Sequence, residues 1–195
     1  MVRPREFDRD EALDRAMRVF WSKGYSATST DDLLAAMEIG RQSLYNAFGD
    51  KRKLYLEALD RYQQHSIAAH VERLTRGASA LAGIKAMLLG AIAADAAERA
   101  NGCMGVNSAA EFGASDADIV AIRAAGAKRL KHHLLARIEQ AQRDGEIDPQ
   151  MNAEEVALFI GSTMQSIQLN ARAGMTPAAL RRLAKFAVER LVVRS

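Results

Sequence analysis

The sequence predicts an all-α protein of about nine helices, in which a compact unit of three helices is followed by mostly longer ones. Three observations support this fold class. Ala and Leu are abundant while proline occurs only three times, apolar residues recur at helical spacing along most of the chain, and strand-favouring runs of β-branched and aromatic residues are missing. With 49% hydrophobic and 26% charged residues over 195 positions, the chain can bury a sizeable core.

The N-terminal segment begins with two predicted helices. Apolar residues form a helical stripe from Arg9 to Lys23, and Gly24 ends that helix. Ser29 or Thr30 can cap a second, short helix, because a hydroxyl oxygen accepts a hydrogen bond from the free N–H groups of a first helical turn.

A tight turn at residues 37–40 leads into a third short helix, which begins near Arg41. Leu44, Ala47 and Phe48 fall on one side of this helix and are expected to face inward. Three helices with a tight second turn predict a helix-turn-helix unit.

The rest of the chain is divided into six further helices by glycine-containing breaks and capping residues. Their predicted ranges are 51–75, 79–99, 103–112, 115–143, 152–173 and 177–193. The change in helix length predicts two domains, residues 1–50 and residues 51–195.

Overall charge does not identify a partner, although the placement of charge is informative. The net charge is +3, yet residues 1–60 carry ten basic and eleven acidic side chains. Residues 39–53, in contrast, hold four lysine and arginine residues and one aspartate.

The cysteine count and the hydropathy pattern indicate where the protein works. A single cysteine, Cys103, excludes an internal disulfide and is typical of a reducing compartment. The N-terminus lacks the apolar core of a signal peptide, and no stretch approaches the roughly 18 unbroken apolar residues of a membrane span. We therefore expect a cytoplasmic protein without membrane contact.

Catalytic and metal-binding patterns are absent from the sequence. His132 and His133 are adjacent and point to different sides of a helix, while His65 and His70 are five residues apart, so neither pair suits a metal. A glycine-rich phosphate loop, a nucleophile elbow and an HExxH motif are all missing. We expect no metal, no cofactor and no enzymatic activity.

The predicted helix 41–48 has a polar outer face. It consists of Arg41, Gln42, Ser43, Tyr45 and Asn46. Recognition helices present such a face to the DNA major groove, where arginine bonds guanine and glutamine bonds adenine. Hydroxyl and ammonium groups suit phosphate oxygens, and those available here belong to Ser43, Tyr45, Thr30 and Lys51. The alternative interpretation is an ordinary solvated face.

At this point the sequence resembles a known family. The stretch TSTDDLLAAMEIGRQSLYNAFGDKRKLYLEAL is similar to the DNA-binding region of the TetR family of bacterial transcriptional regulators, and the resemblance covers about residues 9–60. The resemblance implies an N-terminal DNA-binding domain and assigns DNA contacts to Thr30, Arg41, Gln42, Ser43, Tyr45, Asn46 and Lys51.

Two residues depart from the family pattern at the turn. Glu38 stands where a turn glycine is usual, and Gly40 stands where a helix-capping serine or similar residue is usual. We expect Gly40 to relax the turn from two residues later and to affect the entry angle of the third helix.

For residues 51–195 the resemblance implies a helical domain that binds a small molecule and forms a homodimer on palindromic double-stranded DNA. The last two helices would pair with those of a partner, and the candidate interface residues are Phe159, Ile160, Ile167, Leu183, Phe186 and Ala187. The candidate cavity residues are Met87, Cys103, Met104, Phe112, Met164 and Gln168. A ligand that favours a different spacing of the two recognition helices would release the protein from DNA.

Several alternatives remain at the level of sequence. The segment from Asn101 to Glu111 resembles the "GCL" segment of one TetR subgroup, some of whose members sense electrophiles or oxidants through this cysteine. Cys103 is otherwise a small apolar residue buried at a helix start. A helical enzyme or carrier is a further alternative, and the sequence distinguishes neither repressor from activator nor one effector from another.

Overall fold

The computed structural model describes residues 7–192, and this range contains ten α-helices and no strand. The helices are α1 (Arg9–Lys23), α2 (Thr30–Met37), α3 (Arg41–Phe48), α4 (Lys51–Thr75), α5 (Ala80–Gly90), α6 (Ala96–Asn101), α7 (Met104–Phe112), α8 (Ala117–Arg143), α9 (Ala153–Arg172) and α10 (Pro177–Glu189). The all-α prediction is confirmed. The expected end of the last helix at residue 193 lies outside the described residues, and α10 ends at Glu189.

The predicted helix 79–99 is wrong as a single element, which is why ten helices replace nine. The chain leaves helical geometry after Gly90, and α6 starts again after Asp95. The Asp95 carboxylate accepts from the backbone N–H of Glu98 at 2.9 Å, and Arg99 donates to the carbonyl of Ala93 at 2.9 Å. These two backbone groups would bond within a continuous helix. Because the helix is interrupted here, side chains bond them instead.

The first two helices start and end close to where the sequence predicts. Gly24 takes a positive φ of 82° at the end of α1. Ser29, rather than Thr30, caps α2: its hydroxyl accepts from the Asp32 N–H, and the Asp32 carboxylate accepts in return from the Ser29 N–H. Lys23 also binds the Asp32 carboxylate at 2.7 Å, which ties the end of α1 to the start of α2.

The turn between α2 and α3 differs from expectation. Glu38 itself takes the left-handed conformation, with φ 56° and ψ 39°, whereas Gly40 is extended with φ −75°. Gly40 therefore does not relax the turn. A left-handed residue with a Cβ costs roughly 1–2 kcal/mol, and the ion pair of Glu38 with Arg15 at 2.5 Å offsets part of that cost.

The far end of α3 is fixed by one side chain of α1. The Arg9 guanidinium lies 4.5 Å from the centre of the Phe48 ring and donates to the carbonyl oxygen of Ala47 at 3.3 Å. It also pairs with Glu57 of α4 at 2.6 Å. A cation at a helix C-terminus stabilises the helix dipole, so Arg9 joins three helices where α3 ends.

The helix α4 belongs to both hydrophobic cores. Its first half contributes Leu54, Tyr55, Ala58 and Leu59 to a core shared with α1, α2 and α3. Near its end, Leu74 belongs to a second core built with α5, α8, α9 and α10. The proposed division after residue 50 stays a prediction, since the first core extends well into α4. No helix within residues 7–192 is long and apolar enough to cross a membrane.

We expect Gly40→Ser to stabilise the protein by about 0.5–1 kcal/mol. Gly40 precedes α3 without a side-chain cap, its φ suits any residue, and a Cβ there would meet no atom within 4 Å. Urea unfolding measures the change. Gly49→Ser is the matched control at the other end of α3. It should destabilise, because Gly49 has φ +83° and a Cβ there would lie 2.8 Å from Lys53 Cδ. An unchanged midpoint for Gly40→Ser would contradict the prediction.

A buried histidine gives the fold a pH dependence. His70 on α4 is 5% exposed, and its Nδ1 has no hydrogen-bond partner. Burial, followed by the nearby positive charge of Arg73, lowers the pKa of His70 from 6.5 to about 4. Between these two values the unfolded chain binds a proton that the folded chain does not, so stability falls as the pH is lowered through this window.

We expect His70→Leu to remove about 2 kcal/mol of the stability that the protein loses between pH 7.5 and pH 5. Urea unfolding at both pH values measures the loss. The control is His65→Leu on the same helix, where the side chain is exposed and the acid loss should persist. An equal loss in His70→Leu and the unmodified protein would refute the assignment.

Candidate functional site

The polar face of α3 is available for contact with a partner. Arg41, Gln42, Tyr45 and Asn46 are exposed and Ser43 is half-buried, whereas Leu44 and Phe48 are buried on the opposite side. All five residues predicted on this helix therefore lie on one rigidly anchored surface, as the sequence indicates.

Two of these side chains are held by neighbours. Arg41 pairs with the exposed carboxylate of Asp31 on α2 at 2.8 Å. The Gln42 amide donates to Asn46 Oδ1 at 3.0 Å, one turn along the same helix. Asp31 is not among the residues that the sequence predicts for this site. The ion pair orders the Arg41 guanidinium beside the start of α3.

The two remaining predicted residues stand at helix starts. Thr30 is the first residue of α2 and is half-buried. Lys51 is the first residue of α4, and its Nζ lies 4.3 Å from the centre of the Tyr25 ring. The aromatic ring orients this ammonium. Asp50 caps α4 by accepting from the Lys53 N–H at 2.8 Å.

A cavity of about 740 Å³ lies between α4, α7, α8 and α9. Of the predicted cavity residues, Cys103, Met164 and Gln168 line it. Met87 and Met104 are instead fully buried in the two cores. Phe112 packs among aromatic rings, 5.5 Å from Tyr25 and 5.7 Å from Tyr55 between ring centres. These three predictions are corrected, because apolar residues on a helix pack equally well against a core.

Sequence reasoning missed the cavity residues of α4 and α8. Gln63 lines the cavity beside two buried glycines, Gly105 of α7 and Gly126 of α8. A Cβ at Gly105 would lie 2.7 Å from the Gln63 Nε2, and one at Gly126 would lie 3.5 Å from its Cδ. Glycine inside a helix costs about 1 kcal/mol, so these two glycines were the available signal of a close approach.

Four charged residues line the cavity; Glu155 is exposed, and the other three bond to neighbouring groups. Lys131 and Glu154 bridge α8 and α9 at 2.5 Å. Arg123 donates to the carbonyl oxygen of Gly113 at 3.1 Å. Most of the remaining wall is made of aliphatic or small residues. Within residues 7–192, no group of His, Cys, Asp and Glu side chains is placed to hold a metal ion.

The single cysteine is largely withdrawn from solvent. Cys103 is the N-cap residue of α7 and is 8% exposed. The Tyr62 hydroxyl lies beside its thiol, and burial raises the pKa of that tyrosine above its ordinary value. The electrophile-sensing alternative is not favoured, since reactive cysteines are partly exposed and lie near positive charge.

The outer faces of α9 and α10 carry exposed apolar side chains. Phe159 and Phe186 are 42% and 55% exposed, as expected of interface residues, and Leu158 beside them is 70% exposed. Three other predicted interface residues, Ile160, Ile167 and Ala187, are buried in the second core, and Leu183 is partly buried against it. The prediction is corrected for the three core residues, which lie on the inner sides of the same helices.

The helix α7 connects the cavity to the N-terminal helices. Glu111, near its end, accepts hydrogen bonds from the backbone N–H groups of Tyr25 at 3.0 Å and Ser26 at 2.6 Å. Burial alone would raise the pKa of Glu111, but these bonds lower it, so the carboxylate stays charged. Just before α7, the carbonyl of Gly102 accepts from the Trp21 indole at 3.0 Å.

A second polar connection joins α4 and α8. Arg52 donates to the carboxylates of Asp116 at 3.0 Å and Asp118 at 2.8 Å. Arg52 is exposed, as is its neighbour Lys53, but its guanidinium is engaged by both carboxylates.

Comparisons with known proteins agree with this arrangement. Residues 12–58 match the model of bacterial regulatory proteins of the tetR family, and residues 77–187 match that of the tetracyclin repressor-like C-terminal domain. The HTH-type transcriptional repressor ComR of Escherichia coli K12 is 32% identical over 192 residues, which cover 95% of this chain and 88% of ComR. The uncharacterized HTH-type transcriptional regulator YezE of Bacillus subtilis 168 is 37% identical over 151 residues, 75% of this chain and 78% of YezE.

Solved structures give the same result. A cysteine mutant of the TetR family transcriptional regulator CifR, complexed with 26-bp double-strand operator DNA, superposes with a TM-score of 0.76 at 30% identity. The match covers 96% of this chain and 98% of that one. A TetR family regulator from Agrobacterium tumefaciens has the same fold at a TM-score of 0.83 and 23% identity, over 95% of this chain and 97% of that one. Both family models and both relatives therefore lead to one conclusion: this chain belongs to the TetR family of DNA-binding transcriptional regulators.

Proposed function

We propose that this protein is a cytoplasmic repressor that binds a palindromic operator as a homodimer and leaves it when a small molecule enters the cavity. The observation that carries the proposal is the anchored polar face of α3, since a short helix held at both ends and exposing five hydrogen-bonding side chains suits a major groove. The protein would act by binding rather than by catalysis.

The residues on this face divide into two roles. Arg41 would bind guanine through two parallel hydrogen bonds, and Gln42 would bind adenine in the same manner. Ser43, Tyr45 and Lys51 would contact phosphates, with Thr30 contributing its hydroxyl from α2. Asn46 accepts from Gln42 and so orients its amide.

The exposed apolar residues of α9 and α10 support a dimer. Large apolar side chains that are adjacent on a surface mark an interaction site more often than scattered ones do. Phe159 and Phe186 are large apolar side chains exposed on two helices, α9 and α10, that pack against each other. A dimer doubles the DNA contact area and matches a palindrome.

The connection through α7 supports control by a ligand. The residues from Cys103 to Ala109 include much of one cavity wall, and Glu111 on the same helix holds the loop between α1 and α2. A ligand that fits the cavity better in one position of α7 than in another shifts the position of the N-terminal helices. The repressors among the relatives are consistent with release rather than recruitment.

We expect Arg41→Ala to weaken operator binding about 10- to 100-fold and to relax the preference at one base pair of each half-site, because the bidentate contact to guanine is lost. Selection of bound genomic fragments supplies the operator, and fluorescence anisotropy measures binding to it and to single-base variants. The control is Arg129→Ala, an exposed arginine on α8, which should bind normally. An undiminished base preference in Arg41→Ala would rule out the assigned role.

We expect Phe159→Glu to convert the dimer to a monomer at micromolar concentration and to weaken operator binding at least tenfold, since a buried unpaired carboxylate at the interface is costly. Analytical ultracentrifugation measures the mass. Ala125→Glu on α8 is the control, because Ala125 is also exposed but lies on neither α9 nor α10 and does not line the cavity. A dimeric Phe159→Glu variant would place the interface elsewhere.

A further inference from the structure

The cavity has one distinctly polar end, formed by Gln63, Cys103 and Gln168. Gln168 is 7% exposed and lines the cavity from α9, while Gln63 lines it from α4. Neither carboxamide has a hydrogen-bond partner among residues 7–192. Gln63 is half-buried, and both carboxamides are free to bond with a molecule that enters the cavity.

The start of α7 lies close to the Gln63 carboxamide and to the backbone of Gln168. A Cβ at Gly102 would lie 3.0 Å from the backbone carbonyl oxygen of Gln168, and one at Gly105 would lie 2.7 Å from Gln63 Nε2. Cys103 caps α7 without a side-chain hydrogen bond, and of the first N–H groups of this helix that of Met104 bonds the Tyr62 hydroxyl. Gly105 and Val106, which carry such groups, both line the cavity. This end therefore offers mainly hydrogen-bond donors.

The two cations that line the cavity are engaged by other groups, and Arg172, which packs against Gly102 and donates to the Asn101 carbonyl oxygen at 3.1 Å, is not among the lining residues. Arg123 bonds Gly113 just beyond the other end of α7, about 13 Å along the helix, and Lys131 is paired with Glu154. A carboxylate placed between the two glutamines would lose its hydration without gaining a counter-ion. A neutral acceptor such as a carbonyl oxygen does not carry this penalty.

We propose that the cavity binds a neutral, mainly apolar molecule through a carbonyl-type oxygen that accepts hydrogen bonds from the carboxamides of Gln63 and Gln168. The inference names the chemical class of the effector and rests on the proposed function. The aliphatic wall supplies contact area, and the two glutamines supply orientation. Because the two glutamines lie on α4 and α9, one ligand oxygen would contact both of these helices close to the start of α7.

The test uses three naphthalene probes that share a 6-dimethylamino group and differ at position 2. The ketone is 2-propionyl-6-dimethylaminonaphthalene, whose emission shifts to longer wavelength when its carbonyl accepts a hydrogen bond. The other two probes carry a propyl group or a carboxylate at position 2. Fluorescence titration of the full-length protein measures the binding of the ketone, and competition measures the other two.

We expect the ketone to bind with one site per chain and the carboxylate to bind at least tenfold more weakly. Gln63→Met and Gln168→Met keep the side-chain shape and remove the amide. Each should weaken ketone binding about tenfold, shift its emission to shorter wavelength, and leave binding of the propyl probe unchanged. The control is Gln64→Met, the exposed neighbour of Gln63 that bonds Asp60, which should behave as the unmodified protein.

Three results would overturn the inference: no ketone binding by a protein that still binds its operator, equal ketone affinity in the Met variants, or equal loss of ketone and propyl binding in them. Tighter binding of the carboxylate would also overturn it in favour of an anionic ligand. If a Met variant unfolds in a thermal melt, Gln168→Glu serves instead and should weaken the ketone at least as much.

Operator binding, measured in the same samples, separates this inference from the proposed function. Glutamine-dependent ketone binding without release of DNA would support the cavity chemistry and contradict ligand-controlled release. Release of DNA by the propyl probe alone would support ligand control and contradict the role of the glutamines.

Discussion

The continuity of α4 is the constraint on which the rest of the structure depends. One helix of 25 residues supplies Leu59 to the N-terminal core and Leu74 to the second core. These two residues are about 22 Å apart along the helix axis, and both are fully buried. Since packed cores are stiff and close-packed, a tilt of α4 in one core is carried to the other. The cavity opens beside the middle of this helix, at Gln63, between the two fixed points.

The polar contacts between the two halves differ in kind from this apolar continuity. Glu111 and Arg52 each join α7 or α4 to another element through charge-assisted hydrogen bonds, which depend strongly on distance and angle. Apolar packing along α4 has no preferred bond direction, whereas the bonds of Glu111 to two adjacent N–H groups require a particular distance and angle. The protein thus combines one continuous helix, α4, with directional hydrogen bonds of Glu111 and Arg52 that either form or break. Together these features suit a change between two discrete arrangements of the helices.

Local signals carried most of what could be predicted from the sequence. Gly24 and Phe48 mark helix ends that the structure reproduces, because capping and apolar spacing act within a few residues. Tertiary contacts decided the rest. Glu38 adopts a conformation typical of glycine, and only the position of Arg15 on another helix explains its tolerance. Periodicity showed that α9 has apolar residues on two sides, but not that Ile160 faces the core while Phe159 faces outward. A cavity is a space without atoms, so few residues of the sequence indicate where it lies. Glycines inside helices, such as Gly105, are the exception, because they mark positions where another side chain approaches closely.

The ion pair between Arg41 and Asp31 has a consequence for the search along DNA. In the free protein, the proposed base-reading cation Arg41 is paired with an exposed carboxylate at 2.8 Å. When a phosphate of unrelated DNA binds Arg41, the guanidinium leaves one solvated anion for another, so the binding free energy that is gained is small. A guanine edge in a desolvated groove offers two acceptors in fixed geometry. Under the proposed function, we therefore expect Asp31 to compete with DNA for Arg41 and to weaken binding to random sequence more than binding to the operator. Sequence discrimination would then depend partly on a residue that does not contact a base.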